Sequence, residues 1–506
     1  MKLSVQAALA GRRVLITGTS GFIGKALLET LMREVPQVAQ FVLLLRGDAR
    51  HPDAQQRLHA QVLASPVFDR LRRDDPARFQ ALVADKLRVV AGEITAPRLG
   101  LSVAAFDALA DEVDVIVNVA ASVNFREALD RALAINTAPL HTLGALARRR
   151  NLPLVQVSTC YVNGFHRGRI GETLSAPARV PLPRHADGSF EVEDLIARLQ
   201  RSIAAVEQRH PEPQARQRAL VALGVREARR HGWNDTYTFT KWLGEQIAWR
   251  AMHGGTLAIV RPAIVESAWR DPQPGWIEGM KVGDAIVLAY ARGKTRLFPA
   301  RPAGIADIVP VDLVANGIVL ATAEALQRPG RRRIYQVGSS TRNPVRVGDY
   351  VRLCQKEMRG NSAAYPKLIP RPLQRPFRTV PRPLFLACLA LGLAGAGLAR
   401  AVTRALGLAH AGWFDALQTT RELAVVFSFY TSPHCVFDSR RLLALAQSFE
   451  AADRRRFEVD ARCFDWPHYI ACIHLPGLER FAVKDKAAAA ARATAAELAP
   501  PLQEPT

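Results

Sequence analysis

The feature of the sequence that most constrains its fold is a series of short apolar runs between residues 13 and 164. Helical patterns such as KALLETLMREV (25–35) separate the runs, which are RVLITG, FVLLLRG, KLRVVAGEI, VDVIVNVAA and LPLVQVSTCYVNG. A sixth run, LAIVRPAIV (257–265), follows a long interruption. Strands that are apolar on both faces are typical of parallel sheets with helices on both sides. The sequence therefore predicts an α/β fold with a doubly wound parallel sheet.

The same pattern divides the chain of 506 residues, which is long enough for two or three domains. We predict an α/β domain over residues 1–365, with a polar helical insertion at about 172–230. A Pro- and Arg-rich connector at 364–383 indicates where this domain ends. A smaller, mainly helical C-terminal domain is predicted over 366–485, and a low-complexity tail over 486–506.

The turn after the first apolar run carries three glycines at the spacing GxxGxxG. In a dinucleotide-binding turn, the first two glycines let the backbone approach a pyrophosphate and the third lets helix and strand pack closely. The N-terminus of the following helix faces the anion. We therefore predict an extended Rossmann domain in which the whole turn contacts the cofactor, namely Gly18, Thr19, Ser20, Gly21, Phe22, Ile23 and Gly24.

The end of the second run indicates which dinucleotide is bound. An acidic residue at this position would accept hydrogen bonds from the ribose hydroxyls of NAD. The chain has Arg46 there, and a guanidinium pairs with a 2′-phosphate. We therefore predict NADPH as the cofactor, although Asp48 stands nearby.

Polar and small residues follow the fourth and fifth runs, where the carboxyl ends of parallel strands form the ligand-binding edge. Asn118 and Ala120 follow the fourth run and are expected beside the nicotinamide ribose. Ser158 and Thr159 follow the fifth run. Further along, NDTYTFTKWLGE (234–245) has Tyr and Lys four residues apart, and this spacing puts both on one helix face.

This order of motifs predicts a reduction of a carbonyl group. Tyr237 is the expected proton donor to the carbonyl oxygen, and Lys241 is expected to lower the phenol pKa and bind the ribose. Thr159, or less favourably Ser158, would donate a hydrogen bond to the same oxygen. Cys160 is interpreted as structural, because no histidine or other base stands beside it in the sequence.

The cysteine content and the charge bear on the compartment and the partners. Six scattered cysteines without CxxC pairs predict a reducing, cytoplasmic environment and no metal site. The N-terminus reaches the first predicted strand too soon to accommodate a signal peptide. The net charge of +22 favours anionic partners, but no zinc finger or other nucleic-acid motif is present.

One apolar segment, LFLACLALGLAGAGLA (384–399), lies between Arg382 and Arg400. It is shorter than the roughly 20 residues of a spanning helix. Three interpretations remain open: a buried core helix, a helix at a membrane surface, or a wall of an acyl tunnel. Peripheral association with the inner face of a membrane is thus one expectation.

Several motifs together resemble the fatty acyl-coenzyme A reductases. The N-terminal ones are GTSGFIGKALLETL, LLLRGD, AASVNF, VSTCYVNG, YTFTKWLGE, IVRPAIVESAWRDPQPGW and ADIVPVDLVAN. The C-terminal ones, FSFYTSPHCVFDS and FEVDARCFDWPHYIACIHLPGLERF, are similar to the family's helical sterile domain. The resemblance extends over roughly residues 10–485.

The resemblance implies NADPH-dependent reduction of a long-chain acyl-coenzyme A to an aldehyde and then to a primary alcohol. The family's active-site hydroxyl, Tyr and Lys correspond to Thr159, Tyr237 and Lys241. Two positions depart from the family pattern: Glu93 replaces the more common Asp near the adenine, and Asn118 stands where a His is common. We expect the cofactor also to contact Glu93, Ile94, Pro262 and Ile264. The positive charge would steer coenzyme A and NADPH to the protein.

Other functions remain open at this point. The substrate could be an acyl group on a carrier protein, and reduction could stop at the aldehyde. A sugar-nucleotide epimerase or dehydratase shares the glycine turn and the Tyr–Lys pair, but Arg46 disfavours its NAD. A non-catalytic NADPH-binding module would not need Thr159, Tyr237 and Lys241 together. The sequence predicts neither the chain length of the substrate nor the oligomeric state.

Overall fold

Seven strands form one parallel sheet in the computed structural model, which describes residues 2–293, 297–371, 373, 376–405 and 427–483. The strands are β1 (Arg13–Thr17), β2 (Gln40–Leu45), β3 (Leu87–Ala91), β4 (Val115–Asn118), β5 (Leu154–Val157), β6 (Leu257–Pro262) and β7 (Arg332–Val337). Their order in the sheet is β7-β6-β5-β4-β1-β2-β3. The direction of winding reverses between β1 and β4, which is where doubly wound sheets bind ligands.

Helices cover both faces of the sheet. Those of eight or more residues in the described part are α1 (Phe22–Glu34), α2 (Val103–Glu112), α3 (Leu129–Asn136), α4 (Pro139–Arg149), α5 (Glu193–Arg209), α6 (Pro213–His231), α7 (Thr236–Ala251), α8 (Val282–Ala291), α9 (Val311–Gln327), α10 (Val347–Gly360), α11 (Arg382–Ala405) and α12 (Arg440–Ser448). Val14 and Ile16 of β1 join the core that includes α1 and α9, whereas Leu15 joins the core that includes α2, α4 and α7. This alternation within one apolar strand confirms the predicted doubly wound fold.

The polar region that interrupts the sequence pattern forms the two helices α5 and α6. Their apolar residues Leu195, Leu199, Leu220 and Leu223 are buried in the same core as α7. α6 ends at Gly232, whose φ of +107° is left-handed, so the chain turns directly into α7. The insertion therefore packs against and supports α7, the helix that carries the Tyr–Lys pair.

The C-terminal portion is mainly helical, as predicted, and packs closely on the α/β domain. Its short strand Cys435–Phe437 pairs in parallel with Gly168–Ile170, and α12 packs on α9 and β7. Its aromatic residues, among them Phe437, Phe457 and Tyr469, share one core with α1 and α9. The predicted tail at 486–506 lies outside the described residues.

The apolar segment at 384–399 lies within α11, which is exposed along most of its described length. Leu384 and Leu391 have 55% and 74% of their surface exposed, whereas Ala396 is buried. The described side chains of α11 end at residue 397, so Arg400 lies beyond them. The core-helix alternative does not fit such exposure. Within the described ranges, no helix combines the length and the apolar character needed to cross a membrane.

Candidate active site

The glycine turn between β1 and α1 has the geometry of a pyrophosphate cradle. Gly18 has a φ of +73°, and a Cβ there would lie 2.5 Å from the backbone nitrogen of Ala120. A Cβ on Gly24 would overlap the carbonyl oxygen of Gly18. Gly21 precedes α1 and brings no capping side chain, so the N–H groups of the first helical turn are left for an anion. Positions 18 and 24 therefore accept only glycine, and the turn fits a dinucleotide.

A groove of about 700 Å³ extends from the glycine turn over the ends of β2 and β3. Arg46 and Glu93 line it and form an ion pair, and the Arg46 side chain is 57% exposed. The other predicted residues at this end are Gly18, Ser20, Gly21, Ile94 and Ala120. The structure thus brings these side chains together at one side of the cradle, where the adenosine half of a dinucleotide would lie.

Two further arginines line this groove and were missed by the sequence analysis. Arg57 donates to the Arg46 carbonyl (3.0 Å) and the Ser20 hydroxyl (3.4 Å), and Arg131 comes from α3. Neither follows a strand end, so no sequence signal identified them. Asp48 does not line the groove, because backbone N–H groups of His51 and Arg50 hydrogen-bond its carboxylate, and these bonds hold its pKa at about 2.

A second cavity, of about 450 Å³, adjoins the cradle on the opposite side. It shares Gly18 and Gly21 with the first groove, so one continuous path crosses the carboxyl edge of the sheet. The predicted residues that line it are Phe22, Ile23, Gly24, Ser158, Thr159, Tyr237, Lys241, Pro262 and Ile264. The nicotinamide half of a dinucleotide and a substrate carbonyl would meet in this cavity.

The Tyr–Lys pair lies at the start of α7, which Asp235 caps by accepting a hydrogen bond from the N–H of Thr238 (2.9 Å). Burial and the charge of Asp235 raise the pKa of Tyr237, and a hydrogen bond with Thr159 opposes them. The phenol therefore keeps its proton at neutral pH, as a proton donor must. Burial lowers the pKa of Lys241 to about 8, and Glu245 opposes this shift.

Lys241 donates to the Val157 carbonyl (2.6 Å) at the end of β5. This contact holds the ammonium at the wall of the cavity. The predicted role of Lys241 in lowering the phenol pKa is not tested by this contact. Binding of the ribose by Lys241 stays a prediction.

Two predicted cofactor residues lie beneath the groove instead of lining it. Asn118 accepts from Thr17 Oγ1 (2.5 Å) and donates to Gln156 Oε1 (2.6 Å), so its side chain joins neighbouring strands. Thr19 is fully buried, and its hydroxyl has no hydrogen-bond partner among the described residues. Cys160 is also remote from the cavity lining: its thiol donates to the Arg261 carbonyl (3.0 Å), and burial raises its pKa.

The C-terminal portion contributes to the cavity, which the sequence analysis did not predict. The Tyr430 hydroxyl donates to Asp235 Oδ2 (2.8 Å), the second oxygen of the residue that caps α7. The Tyr430 ring packs against the rings of Tyr161 and Phe125, with centroids 4.8 and 5.0 Å away. The Phe125 ring in turn packs against that of Tyr237, with the centroids 5.8 Å apart. Tyr430 therefore ties the C-terminal portion to the residues around the phenol.

A small apolar cavity of about 80 Å³ adjoins the Tyr237 cavity, with Ile264 and Tyr430 in the lining of both. Its other walls come from α8, α10 and the stretch around Phe377, and include Val287, Tyr290, Phe298, Val351, Met358 and Phe377. A cavity of this composition accommodates hydrocarbon and offers few polar groups for anything else.

A glycine cradle, a long dinucleotide groove and a Thr–Tyr–Lys group define an NAD(P)-binding reductase of the Rossmann type. Comparison with known families agrees. A family model described as "Male sterility protein" (NAD_binding_4) matches residues 16–318, and a second of the same description (Sterile) matches residues 396–485.

Relatives align over nearly the whole chain. It is 30% identical to "Fatty acyl-CoA reductase 2, chloroplastic" of Arabidopsis thaliana, over 96% of this chain and 80% of that protein. It is 29% identical to "Alcohol-forming fatty acyl-CoA reductase" of Simmondsia chinensis, over 94% of this chain and 98% of that protein. The protein belongs to the fatty acyl-CoA reductase family, and it is an NAD(P)-binding oxidoreductase.

Solved structures support the fold alone. The terminal reductase domain of the myxalamid biosynthetic pathway has a TM-score of 0.55 at 19% identity, covering 93% of this chain and 90% of that one. The reductase domain of a non-ribosomal peptide synthetase from Mycobacterium tuberculosis has a TM-score of 0.54 at 20% identity, and the match covers 94% of this chain and 95% of that one.

Proposed function

We propose that the protein reduces long-chain fatty acyl-coenzyme A with NADPH to the primary alcohol, through the aldehyde. The observation that carries this proposal is that three spaces lie side by side and share lining residues: the dinucleotide groove, the Thr159–Tyr237–Lys241 cavity and the apolar cavity beyond Tyr430. A thioester carbonyl in the middle space has a place for its hydrocarbon tail on one side. Family membership argues against a sugar-nucleotide epimerase, whose substrate has no such tail.

The side chains of the catalytic cavity account for both reductions. The bound NADPH supplies a hydride to the acyl carbon. Tyr237 donates its proton to the carbonyl oxygen, which gains negative charge, and Thr159 donates a hydrogen bond to that oxygen. The resulting thiohemiacetal returns its hydroxyl proton to Tyr237 and releases coenzyme A as the thiolate, which takes a proton from water, and the aldehyde is left. A second NADPH and a second proton from Tyr237 give the alcohol.

The preference for NADPH rests on the guanidinium groups of Arg46 and Arg57 at the adenosine end of the groove. Arg46→Asp is expected to lower kcat/KM with NADPH by about 10–100-fold and to change that with NADH much less, because a charge-assisted hydrogen bond contributes about 1.5–3 kcal/mol. Arg50→Asp is the control, since it makes the same charge change outside the groove lining. If the ratio of kcat/KM with NADPH to kcat/KM with NADH is unchanged in Arg46→Asp, the 2′-phosphate would be assigned to Arg57 or Arg131.

The apolar cavity is proposed to hold the acyl tail, and Val351 on α10 is a half-buried residue in its wall. Val351→Phe should fill part of this space and lower kcat/KM for palmitoyl-coenzyme A about tenfold, because each buried methylene contributes about 0.8 kcal/mol. Octanoyl-coenzyme A should be turned over as by the wild type. Val351→Ala is the matched control and should preserve the palmitoyl activity. Equal losses on both substrates in Val351→Phe would place the tail elsewhere.

We also propose that α11 rests on the inner face of a membrane, in the cytoplasm, as the exposed apolar residues and the flanking Arg382 suggest. Replacing both Leu384 and Leu391 by Ser should weaken binding to anionic liposomes at least about 100-fold. Burying one exposed leucine side chain in the membrane contributes about 1.5–3 kcal/mol to the free energy of binding. Salt should weaken wild-type binding. Val103→Ser, at an exposed valine on α2, is the control. Flotation of the double variant like the wild type would contradict the membrane role.

The overall proposal is tested by stoichiometry with purified full-length protein. NADPH oxidation and release of the coenzyme A thiol are followed together, with palmitoyl-coenzyme A or the same acyl group on a carrier protein. Two NADPH per thiol are expected, with hexadecanol as the product on gas chromatography. One NADPH per thiol would identify an aldehyde-forming enzyme. Faster turnover of the carrier-protein substrate would reject coenzyme A as the natural donor.

A further inference from the structure

Three ionisable side chains from distant parts of the chain meet in the core beside the catalytic cavity. Glu266 ends the short strand Ile264–Glu266, Asp284 lies in the first turn of α8, and His474 belongs to the C-terminal portion. Each is 0% exposed, and one ligand atom from each lies within 4.8 Å of the others. None of them takes part in the proposed reduction.

The atoms that face the centre of this cluster are buried, and no described residue outside the cluster hydrogen-bonds to them. Both Glu266 carboxylate oxygens, Asp284 Oδ1 and His474 Nε2 have no hydrogen-bond partner in the described part of the chain. His474 Nε2 lies 3.1 Å from Asp284 Oδ1. Buried carboxylates without partners are costly, and proteins neutralise them with a proton, a counter-charge or a metal ion. The nearby Lys281 ammonium donates instead to the Glu278 carbonyl (2.5 Å).

The outer atoms of the same residues are held in place by the surrounding protein. His474 Nδ1 lies 3.1 Å from Ser267 Oγ, and the Tyr469 hydroxyl donates to the Ser267 carbonyl (2.8 Å). Asp284 Oδ2 accepts from the N–H of Lys281 (2.8 Å). A histidine whose far nitrogen is hydrogen-bonded, so that Nε2 points at carboxylates, is the arrangement found around metal-binding histidines.

We propose that Glu266, Asp284 and His474 bind one divalent transition-metal cation, with Zn²⁺ the best chemical match. One Glu266 oxygen, Asp284 Oδ1 and His474 Nε2 supply three donor atoms, water would complete the four that Zn²⁺ prefers, and the two carboxylates balance its charge. Metal–ligand bonds of about 2.0–2.2 Å hold donor atoms about 3–4 Å apart, so the side chains need to move by about 1 Å or less.

The cation would be structural and would fasten the C-terminal portion to the wall of both cavities. Ile264 and Gly283, next to the ligands, line the apolar cavity, and Lys281 lines the catalytic one. The backbones already meet here, since a Cβ on Gly275 would lie 2.6 Å from the Ile473 carbonyl oxygen. A crosslink at this point would fix the position of His474 relative to the segment that follows β6.

The test measures metal in untagged, full-length protein purified in metal-free buffer. We expect about one Zn²⁺ per chain, falling at least about tenfold in Glu266→Gln and His474→Gln. Glu357→Gln, at a carboxylate bonded to Tyr365 outside the cluster, is the matched control and should keep its metal. If the variants do not fold, wild-type protein stripped by a chelator is titrated with ZnCl₂ and MnCl₂ by calorimetry.

Thermal unfolding provides the second measurement. Stripped wild-type protein should gain several degrees in Tm when ZnCl₂ is added, because a ligand that binds only the folded state stabilises it. The two cluster variants should show no gain. A metal-free preparation whose Tm is unchanged by ZnCl₂ and by MnCl₂ would overturn the proposal. The three side chains would then be neutralised by shared protons, in line with the raised pKa of Glu266, which burial and Asp284 cause.

Discussion

Tyr237→Phe is expected to lower kcat by about 10²–10⁴-fold, the range that a positioned general acid contributes. The phenol lines the cavity, and its raised pKa keeps the proton available for transfer. Phenylalanine fills the same space, so the fold and the dinucleotide groove should be unaffected. NADPH binding, measured by fluorescence titration, should stay within about twofold of the wild type, because the variant removes only the donor.

Tyr365→Phe is the matched control for this substitution. Its hydroxyl donates to Glu357 (2.7 Å) and lies outside both cavities of the dinucleotide path. We expect wild-type turnover from it. A Tyr237→Phe enzyme that keeps more than about a tenth of the wild-type kcat would show that another group, or water, protonates the carbonyl oxygen.

The second large effect is expected on stability, from the buried ion pair between Arg261 of β6 and Glu245 of α7. Both side chains are 0% exposed, and Arg261 Nε and Nη2 donate to the Glu245 carboxylate at 2.8 and 2.6 Å. Arg261→Ala leaves a carboxylate without its partner in the core. We expect the free energy of unfolding to fall by about 3–5 kcal/mol, measured by urea titration with tryptophan fluorescence.

A double variant separates the ion pair from simple loss of packing. Arg261→Met with Glu245→Leu removes both charges and keeps most of the volume, so it should recover most of the stability that Arg261→Ala loses. Because α7 carries Tyr237 and Lys241, the single variant should also lose activity on mild heating. A single variant within about 1 kcal/mol of the wild type would mean that the pair does not hold α7 on the sheet.

The sequence predicted those features that depend on local chemistry. Strands such as β1 and β5 are short and mostly apolar, and the glycines at 18 and 24 are required by a positive φ or by close backbone contacts. The Tyr237–Lys241 spacing needs only a helix to bring the two side chains together. The parallel doubly wound sheet and the catalytic cavity followed from these signals.

The remaining features are assembled by tertiary packing, and no spacing reveals them. Arg57 reaches the groove across a turn, and Tyr430 reaches the cavity from the far end of the chain. Asn118 follows a strand as a ligand-binding residue would, yet its side chain bonds to Thr17 and Gln156 on neighbouring strands. Scattered cysteines predicted no metal site, whereas His474 joins Glu266 and Asp284 only because the C-terminal portion folds back onto the reductase domain.

The central claim is that the hydride of a nicotinamide cofactor is transferred to the thioester carbon of a fatty acyl-coenzyme A. The most direct measurement uses NADPH with deuterium at both C4 positions, palmitoyl-coenzyme A and mass spectrometry of the products. The proposed chemistry predicts hexadecanol with two deuterium atoms on C1, and any aldehyde trapped on the way with one. Products without deuterium on C1, or free palmitate and coenzyme A with no NADPH consumed, would contradict it.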